Sequence, residues 1–210
     1  QANTMSIRFV YFDLGKVIVD FQVERMLDQV GRAAGCAPEA VSDLLFDKQL
    51  LPQLERGELT SEQFYKIFCD RTGSSCTFDE LVTAASDIFS PIDGTARIIH
   101  WLVEECYPLG VLSNTSQAHW EFVERNFEVV QKSFDVRALS YELGCLKPDP
   151  AIYRKAADLA GYRTQEIFFV DDRVENVEAA RQFGFNAVQF TDAPTLAESL
   201  RAVGVEVEGV

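Results

Sequence analysis

Near the start of the chain, Ile7–Phe12 form a short apolar run of β-branched and aromatic side chains, interrupted only by Arg8. A run of this kind is typical of a parallel strand that is buried on both faces. From Phe21 to about Phe89 the spacing changes, and apolar residues recur three and four positions apart, as in amphipathic helices. Thr60 precedes one such stretch, with Gln63 at the capping-box position. The first ninety residues therefore predict one buried strand followed by a helical block.

After Pro91, short apolar runs alternate with helical stretches. The predicted strands span Leu109–Leu112, Val136–Leu139, Ile167–Val170 and Ala187–Phe190. The predicted helices span Gly94–Glu105, Gln117–Asn126, Pro150–Ala160, Val174–Phe183 and Thr195–Val203. Strands that alternate with helices in this way indicate βαβ units and a parallel sheet. The predicted fold is an α/β, doubly wound parallel-sheet core (residues 1–16 and 91–210) with an all-helical insertion (residues 17–90).

Charge and cysteine usage limit the partners and the compartment. The 210-residue chain carries a formal net charge of −14, which repels nucleic acid and anionic membrane surfaces. No apolar run approaches the roughly 18 residues of a transmembrane helix, and the N-terminus lacks a signal-peptide pattern. Five widely spaced cysteines without a C-x-x-C pair predict free thiols. We therefore expect a cytoplasmic protein, monomeric or homodimeric, in which Gln1–Thr4 before Met5 could be non-native.

Polar residues follow four of the apolar runs or their loops. They are Asp13, the Ser113–Asn114 pair, Lys147 and the Asp171–Asp172 pair. In an open parallel sheet, ligands bind beyond the carboxyl ends of the strands. Each cluster alone could be a turn former or a helix cap. Together they predict one site along one edge of the sheet.

In this order the clusters resemble the motifs of the haloacid dehalogenase-like hydrolases across nearly the whole chain. The matching segments are VYFDLGKVIVD with Asp13, GVLSNT with Ser113, ELGCLKPDPAIY with Lys147, and IFFVDDRVEN with Asp171 and Asp172. The helical insertion after the first motif resembles the subgroup with a helical cap. The resemblance implies a Rossmann-like core and a cap domain that closes over it, with hinges near Val17–Phe21 and Phe89–Asp93.

The resemblance also implies the chemistry. Asp13 would attack the phosphorus of a small phosphorylated metabolite and form an aspartyl-phosphate. The Ser113 hydroxyl and the Asn114 amide would bind the phosphoryl oxygens, and Lys147 would neutralise negative charge.

A charge count indicates the cofactor. Asp13, Asp171 and Asp172 supply −3 and Lys147 supplies +1, which leaves −2 where a phosphate dianion must bind. Mg²⁺ would restore neutrality, and oxygen ligands suit it. By the resemblance, the ligands are Asp13, the Gly15 carbonyl and Asp172, while Asp171 supports the metal's waters. Which of the acidic pair binds directly stays open.

Several other residues have a functional and a structural interpretation, and for some of them the structural one is expected. Glu55 and Arg56 lie in a predicted loop that binds substrate in capped relatives, although a plain helix-connecting turn fits equally well. Asn176 either orients the site or is a solvated residue of the first helical turn. Asp149 is expected to cap a helix. His119 and Trp120 are expected on a helix surface.

Gly15 departs from the family pattern. Most phosphatases of this family carry a second aspartate there, which acts as general acid and base. The sequence FDLGKVIVD resembles the glucose-1-phosphate phosphatase-like branch, which keeps glycine. An anomeric phosphate is a better leaving group than an alkyl phosphate and tolerates a missing acid. We thus predict a Mg²⁺-dependent phosphatase for a sugar phosphate or another small metabolite. The alternatives are a 2-haloacid dehalogenase and a catalytically weak binding or regulatory protein.

Overall fold

The computed structural model describes residues 6–208, so Gln1–Thr4 lie outside the described part of the chain. The strands in chain order are β1 (Phe9–Phe12), β2 (Val19–Phe21), β3 (Phe89–Pro91), β4 (Leu109–Ser113), β5 (Val136–Leu139), β6 (Ile167–Asp171) and β7 (Asn186–Gln189). Five of them form one sheet in the order β5-β4-β1-β6-β7, and every neighbouring pair is parallel. The predicted parallel sheet is confirmed, with β1 at its centre.

Helices precede and follow the strands. They are α1 (Val23–Ala34), α2 (Pro38–Leu45), α3 (Leu50–Glu55), α4 (Ser61–Thr72), α5 (Phe78–Ser86), α6 (Asp93–Glu104), α7 (Gln117–Asn126), α8 (Glu128–Lys132), α9 (Ser140–Leu143), α10 (Pro150–Ala160), α11 (Val174–Phe183) and α12 (Ala193–Ala202). The predicted elements of the core match within two residues, and the short helices α8 and α9 were not predicted. Within residues 6–208, no helix is both long enough and apolar enough to cross a bilayer. The five cysteines are free thiols, as predicted.

Alternate residues of β1 enter different apolar clusters on the two faces of the sheet. Val10 and Phe12 pack in the cluster that contains residues of α6 and α12. Phe9 and Tyr11 pack in the opposite cluster, with residues of α10 and α11. Side chains of a strand point alternately to its two faces, so a strand with helices on both sides must be apolar throughout. The unbroken run in the sequence reflects this burial.

Helices α1–α5, here called the cap helices, share a third apolar cluster. Phe64 and Phe68 on α4 belong to its buried residues. The predicted capping box at the start of α4 is confirmed. Gln63 N donates to Thr60 Oγ1 at 3.2 Å, and Thr60 N donates to Gln63 Oε1 at 2.9 Å. Local periodicity thus predicted the helical block correctly, and capping chemistry located the start of α4.

The two ends of the helical insertion form an antiparallel ribbon that the sequence pattern did not predict. In it β2 pairs with β3, with Val19 opposite Pro91 and Phe21 opposite Phe89. Each strand has three residues, which is too few for a period to show, and the partners are far apart in sequence. The ribbon places the two chain crossings between the cap helices and the sheet side by side. The hinge role of these segments and the division at residues 17 and 90 stay predictions.

Gly57, in the turn after α3, approaches the core side of the molecule closely. Its φ is +68°, and a Cβ atom at this position would lie 2.2 Å from the carbonyl oxygen of Tyr141 on α9. Gly73, at the end of α4, has a similar φ of +70°, yet a Cβ atom there would meet nothing within 4 Å. Both positions favour glycine because of the left-handed backbone. Gly57 additionally allows the backbone contact between the cap helices and α9.

These two glycines make a matched pair for testing that contact. Gly73→Ala should lower the free energy of unfolding by about 1 kcal/mol, the cost of a side chain in the left-handed region. Gly57→Ala should cost about 1–3 kcal/mol more, because the clash with Tyr141 must be relieved by a backbone shift. Urea unfolding measures both values, and amide exchange in residues 54–60 should rise only in Gly57→Ala. Equal losses in the two variants would contradict the close contact.

Candidate active site

Three carboxylates converge at the carboxyl edge of the sheet. Asp13 follows the central strand β1, Asp171 ends the neighbouring strand β6, and Asp172 comes next. One oxygen atom from each lies within 4.8 Å of the other two. Ser113 ends β4, the other neighbour of β1. Parallel strands bring these residues together because all their carboxyl ends meet at one edge.

Lys147 supplies the positive charge of this cluster. Its side chain is 1% exposed, and Nζ lies 3.0 Å from Asp13 Oδ1 and 2.5 Å from Asp171 Oδ2. Nζ also donates to the carbonyl oxygen of Leu112 at 3.0 Å, so each of its three protons has an acceptor. Burial alone would lower the pKa of Lys147, but attraction by the two carboxylates outweighs it and raises the pKa. Lys147 is therefore charged at neutral pH.

Asp13 is surrounded by groups that stabilise its ionised form. Its Oδ1 accepts a hydrogen bond from Leu14 N at 2.7 Å and contacts Lys147 Nζ, and the Ser113 hydroxyl also favours the charged carboxylate. Burial nevertheless raises the pKa of Asp13 to about 7 against the opposing charge of Lys147, and the charge of Asp171 adds to the rise. A divalent cation beside Asp13 would favour the ionised carboxylate.

Asp171 and Asp172 differ in how many donors they already bind. Asp171 is fully buried and accepts hydrogen bonds from Lys147 Nζ, from Arg173 N at 2.8 Å, and from Asn176 Nδ2 at 3.0 and 3.1 Å. Asp172 is partly exposed, and no other described residue donates to its carboxylate. Burial, together with the charge of Asp171, raises the pKa of Asp172. This contrast supports Asp172 as the carboxylate with oxygen atoms available to a metal.

Asn176 holds Asp171 in place. It is 3% exposed, and its carbonyl oxygen in the main chain accepts a hydrogen bond from the Tyr153 hydroxyl at 2.9 Å. The alternative of a solvated first-turn residue is therefore wrong. The side chain faces inward because the first turn of α11 follows directly after β6, so a residue of this turn can reach back to the end of the strand.

Asn114 has a contact that its position in the sequence did not predict. Its Oδ1 accepts from Lys147 N at 2.8 Å, and its Nδ2 donates to Lys147 O at 3.0 Å. This reciprocal pair positions the lysine loop, and the other N–H of the carboxamide remains for a phosphoryl oxygen. Ser113 is 2% exposed and lies beside it at the strand end. Direct contact of either residue with phosphate stays a prediction.

The set of donors fits Mg²⁺. The Asp13 and Asp172 carboxylates supply anionic oxygen atoms, and no hydrogen bond among the described residues uses the Gly15 carbonyl. Hard oxygen ligands of this kind suit Mg²⁺. Lys147 compensates only one of the three carboxylate charges. A divalent cation is the simplest way to bring the cluster to neutrality.

Phe21 occupies the space beside Gly15. A Cβ atom on Gly15 would lie 2.9 Å from Phe21 Cε1, so an aspartate there would require the ring to move. The ring packs edge-on to Phe89 at 6.1 Å and lies under Lys16 Nζ at 4.6 Å from its centroid. Lys16 also forms an ion pair with Asp20. The space that an acidic side chain at position 15 would need is therefore occupied by the Phe21 ring of the ribbon.

A cavity of about 290 Å³ lies between the cap helices and this edge of the sheet. Gly15, Ser113 and Asn114 line its core side, and Glu55 lines its cap side. Arg56, predicted together with Glu55, is not among the lining residues. Burial raises the pKa of Glu55, although positive charges, chiefly those of Arg173 and Lys147, oppose the rise. Of the two predicted cap residues, the structure brings only Glu55 to the cavity.

His119 and Trp120 were predicted on a helix surface, and this prediction is wrong. Trp120 is 2% exposed and packs in the core, while His119 lines the cavity with Nε2 3.1 Å from the carbonyl oxygen of Ala85. Burial lowers the pKa of His119, so the ring is neutral at pH 7. Helix α7 lies between the sheet and cap helix α5, and both faces are therefore covered. The expected N-cap is confirmed, since Asp149 Oδ1 accepts from Ala151 N at 2.8 Å.

Comparison with known proteins places the chain in a family. The sequence profile of the haloacid dehalogenase-like hydrolases matches residues 7–184. The chain belongs to this family. It is 26% identical over 191 residues to the D-ribitol-5-phosphate phosphatase of Bacteroides thetaiotaomicron, covering 87% of this chain and 91% of that protein. It is 28% identical over 192 residues to an (S)-2-haloacid dehalogenase of Pseudomonas putida, covering 86% and 82%.

The fold agrees with this placement. The solved structure of a family enzyme from Bacteroides thetaiotaomicron, in complex with magnesium and inorganic phosphate, matches with a TM-score of 0.79 at 23% identity. The match covers 89% of this chain and 95% of that one. The Rossmann-like sheet with a helical insertion is thus shared with a hydrolase family whose members have a capped core.

The contrast between Asp13 and Asp171 predicts opposite effects of one type of substitution. The pKa of Asp13 is higher in the folded chain than its usual value near 4, so the folded state loses stability as the pH rises from about 4 to 7. Asp13→Asn removes this loss and should raise the free energy of unfolding by about 2–4 kcal/mol at pH 8 in EDTA. The gain should shrink towards pH 4.

Asp171→Asn is the matched control and should lower stability by about 3–5 kcal/mol, because it breaks a buried ion pair and leaves donors facing an amide. Urea unfolding at several pH values measures both variants. If Asp13→Asn proved less stable than the unmodified protein at pH 8, burial would not be the dominant influence on Asp13.

Proposed function

We propose that this hydrolase is a Mg²⁺-dependent phosphatase that acts on a small phosphomonoester through an aspartyl-phosphate intermediate. The observation that carries the proposal is the cluster of Asp13, Asp171 and Asp172 around a single lysine, Lys147. Such a cluster has a residual charge of −2. It calls for a divalent cation before an anionic substrate can bind.

In the proposed reaction, a carboxylate oxygen of Asp13 forms a bond to phosphorus while the bond from phosphorus to the alcohol oxygen breaks. The electron pair leaves with that oxygen, which takes a proton from water. Water then attacks the phosphorus, the bond to Asp13 breaks, and inorganic phosphate is released with the carboxylate restored. Lys147 and Ser113 stabilise the charge on the phosphoryl oxygens.

Asp13, the Gly15 carbonyl and Asp172 would hold the Mg²⁺, with Asp171 supporting its waters. Bound there, the cation supplies charge compensation for the phosphoryl group. The donors already engaged by Asp171 support this division between the two acidic neighbours. The same donors keep Asp171 in contact with Lys147.

Two relatives support phosphatase chemistry. One is named for the hydrolysis of a sugar-alcohol phosphate, and the other was solved with magnesium and phosphate. The Pseudomonas putida relative is a dehalogenase, so carbon–halogen hydrolysis is the second candidate. A dehalogenase needs no metal, and the unpaired Asp172 carboxylate next to Asp13 is therefore the feature that argues against it. Dependence on Mg²⁺ separates the two candidates.

The cap helices are proposed to close over the core and to select the substrate. Residues 17–90 would form the cap domain, with the ribbon as its hinge region, and residues 1–16 and 91–210 the core. Glu55 lines the cavity that closure creates. Arg56 would contribute only if cap movement brought it inward. The substrate would be a small phosphorylated metabolite.

Metal removal tests the phosphatase assignment. Hydrolysis of p-nitrophenyl phosphate should disappear in EDTA and return with Mg²⁺, because the carboxylates otherwise repel the substrate. Asp13→Asn should abolish turnover while the protein stays folded, and mass spectrometry should find beryllofluoride or a trapped phosphoryl group on Asp13. Undiminished turnover in EDTA, or dehalogenation of 2-chloropropionate without metal, would overturn the assignment.

The absence of an acid at Gly15 predicts strong dependence on the leaving group. Aryl and anomeric phosphates should exceed alkyl phosphates in kcat/KM by about 10²-fold or more, the range that a general acid contributes. Of the aryl and the anomeric phosphates, the resemblance of FDLGKVIVD to the glucose-1-phosphate phosphatase-like branch favours the anomeric sugar phosphate. The measurement is kcat/KM against the pKa of the leaving alcohol, where phosphorylation of Asp13 limits the rate. A flat dependence would mean that another residue, such as Glu55, supplies the proton.

Two substitutions at Gly15 refine this measurement. Gly15→Asp should narrow the gap between good and poor leaving groups if the Phe21 ring moves aside. Gly15→Ala brings the same Cβ towards Phe21 without an acid, and it should leave the gap unchanged. Equal profiles for the two variants would show that position 15 cannot supply a proton in this protein.

A further inference from the structure

We propose that the cavity beneath the cap helices receives an uncharged aromatic group, so that the substrates are phosphate esters of phenol-like alcohols rather than of sugars or polyols. This inference rests on the proposed phosphatase function and names the leaving group that the same site accepts. Two separate features carry it. One is the composition of the cavity wall, and the other is the contact between Gly15 and Phe21.

Away from the phosphate end, the wall is formed mainly by apolar side chains of the cap helices and the ribbon. They include Phe21, Met26, Leu54, Phe64, Val82 and Phe89. A sugar or polyol placed among them would exchange hydrogen bonds to water for contacts with hydrocarbon. Each buried hydroxyl without a partner weakens binding by roughly five- to a hundredfold. An aromatic ring gains from the same surroundings.

Most polar groups of the wall already have partners within the protein. The Tyr65 hydroxyl donates to the Cys76 carbonyl at 2.8 Å, and His119 Nε2 is engaged by Ala85. Glu55, Ser61 and Ser86 remain on the cap side, and the buried Ser86 hydroxyl has no hydrogen-bond partner among the described residues.

The charges of the wall exclude a second anionic group on the substrate. No lysine or arginine is among the residues that line the cavity, and Glu55 is the carboxylate on its cap side. A second phosphate or a carboxylate would face Glu55, and the positive charges that act on Glu55, chiefly those of Arg173 and Lys147, lie outside the cavity lining. The part of the substrate beyond the phosphate is therefore uncharged.

The size of the cavity suits a ring. A closed apolar cavity of roughly 150 Å³ holds benzene. The volume here is about 290 Å³, which leaves space for one or two fused rings next to the phosphoryl site. Rings from Phe21, Phe64 and Phe89 offer edges and faces against which an aromatic group can pack.

The Gly15–Phe21 contact also favours aryl phosphates, because it bears on how the bond to the leaving group is cleaved. Phe21 occupies the space beside Gly15, and residue 15 itself carries no acid that could protonate the departing oxygen. A phenolate carries the negative charge into its ring and departs without that proton. An anomeric sugar phosphate has a good leaving group, but its hydroxyls do not suit the apolar wall. A primary polyol phosphate has neither a good leaving group nor an apolar one. Aryl phosphates have both.

Four substrates separate polarity from leaving-group quality. They are phenyl phosphate, α-glucose 1-phosphate, benzyl phosphate and ribitol 5-phosphate, each measured with the Mg²⁺-loaded full chain. Phenyl phosphate should exceed α-glucose 1-phosphate in kcat/KM by about tenfold or more, and benzyl phosphate should exceed ribitol 5-phosphate similarly. Equal or reversed rates within either pair would overturn the proposal while leaving the phosphatase function intact.

A binding measurement gives an answer that does not depend on turnover. Benzylphosphonate has no leaving oxygen and should bind the Mg²⁺-loaded protein about tenfold or more tightly than methylphosphonate, as measured by calorimetry. Leu54→Gln places an amide in the wall and should remove most of this difference. Leu159→Gln, at a 48% exposed position on α10, is the matched control and should preserve it.

Equal affinities for the two phosphonates in the unmodified protein would contradict an aromatic site. The same conclusion would follow if Leu54→Gln left the ratio of affinities unchanged. Failure of all phosphate esters, with the phosphonate difference intact, would instead count against the phosphatase function and leave the aromatic cavity supported.

Discussion

The active edge of this protein depends on one buried ammonium group. Lys147 joins Asp13 and Asp171, which end two neighbouring strands, and its third proton is bound by the main chain of a third strand. Placing one cation between two carboxylates satisfies the lysine fully but leaves the cluster negative once Asp172 is counted. Burial keeps the pKa of Asp13 high despite the charge of Lys147, and the net negative charge of the cluster is why the site suits a divalent cation.

Neighbouring residues hold Lys147 and Asp171 in place through hydrogen bonds. Asn176 donates to Asp171, and the Asn114 side chain binds both the main-chain N–H and the main-chain carbonyl oxygen of Lys147. Side chains that are fixed in this way keep the reactive geometry without a substrate present. No other described residue donates a hydrogen bond to the Asp172 carboxylate. Asp171 can therefore hold Lys147, whereas Asp172 keeps its oxygen atoms available to a metal.

The ribbon couples the cap helices to the chemistry. Phe21 belongs to β2, packs against Phe89 of β3, and covers the space beside Gly15. The ring of Phe21 lies where a side chain at position 15 would extend, and it also forms part of the cavity wall. One ring therefore links the residue at position 15 to the wall that would face the leaving group.

Local patterns in the sequence were sufficient for the five strands of the main sheet, for the longer helices of the core, for the caps at Thr60 and Asp149 and for the polar residues at the strand ends. Each of these depends on neighbours a few positions away. Asp13, Ser113 and the acidic pair could be predicted to meet, since parallel strands must end at one edge. The tertiary structure alone decided that Asp172 has free oxygen atoms, that Asn114 binds the lysine loop, that Trp120 is buried, and that β2 pairs with β3. Each of these depends on partners distant in the chain, whose positions follow from packing and not from any local period.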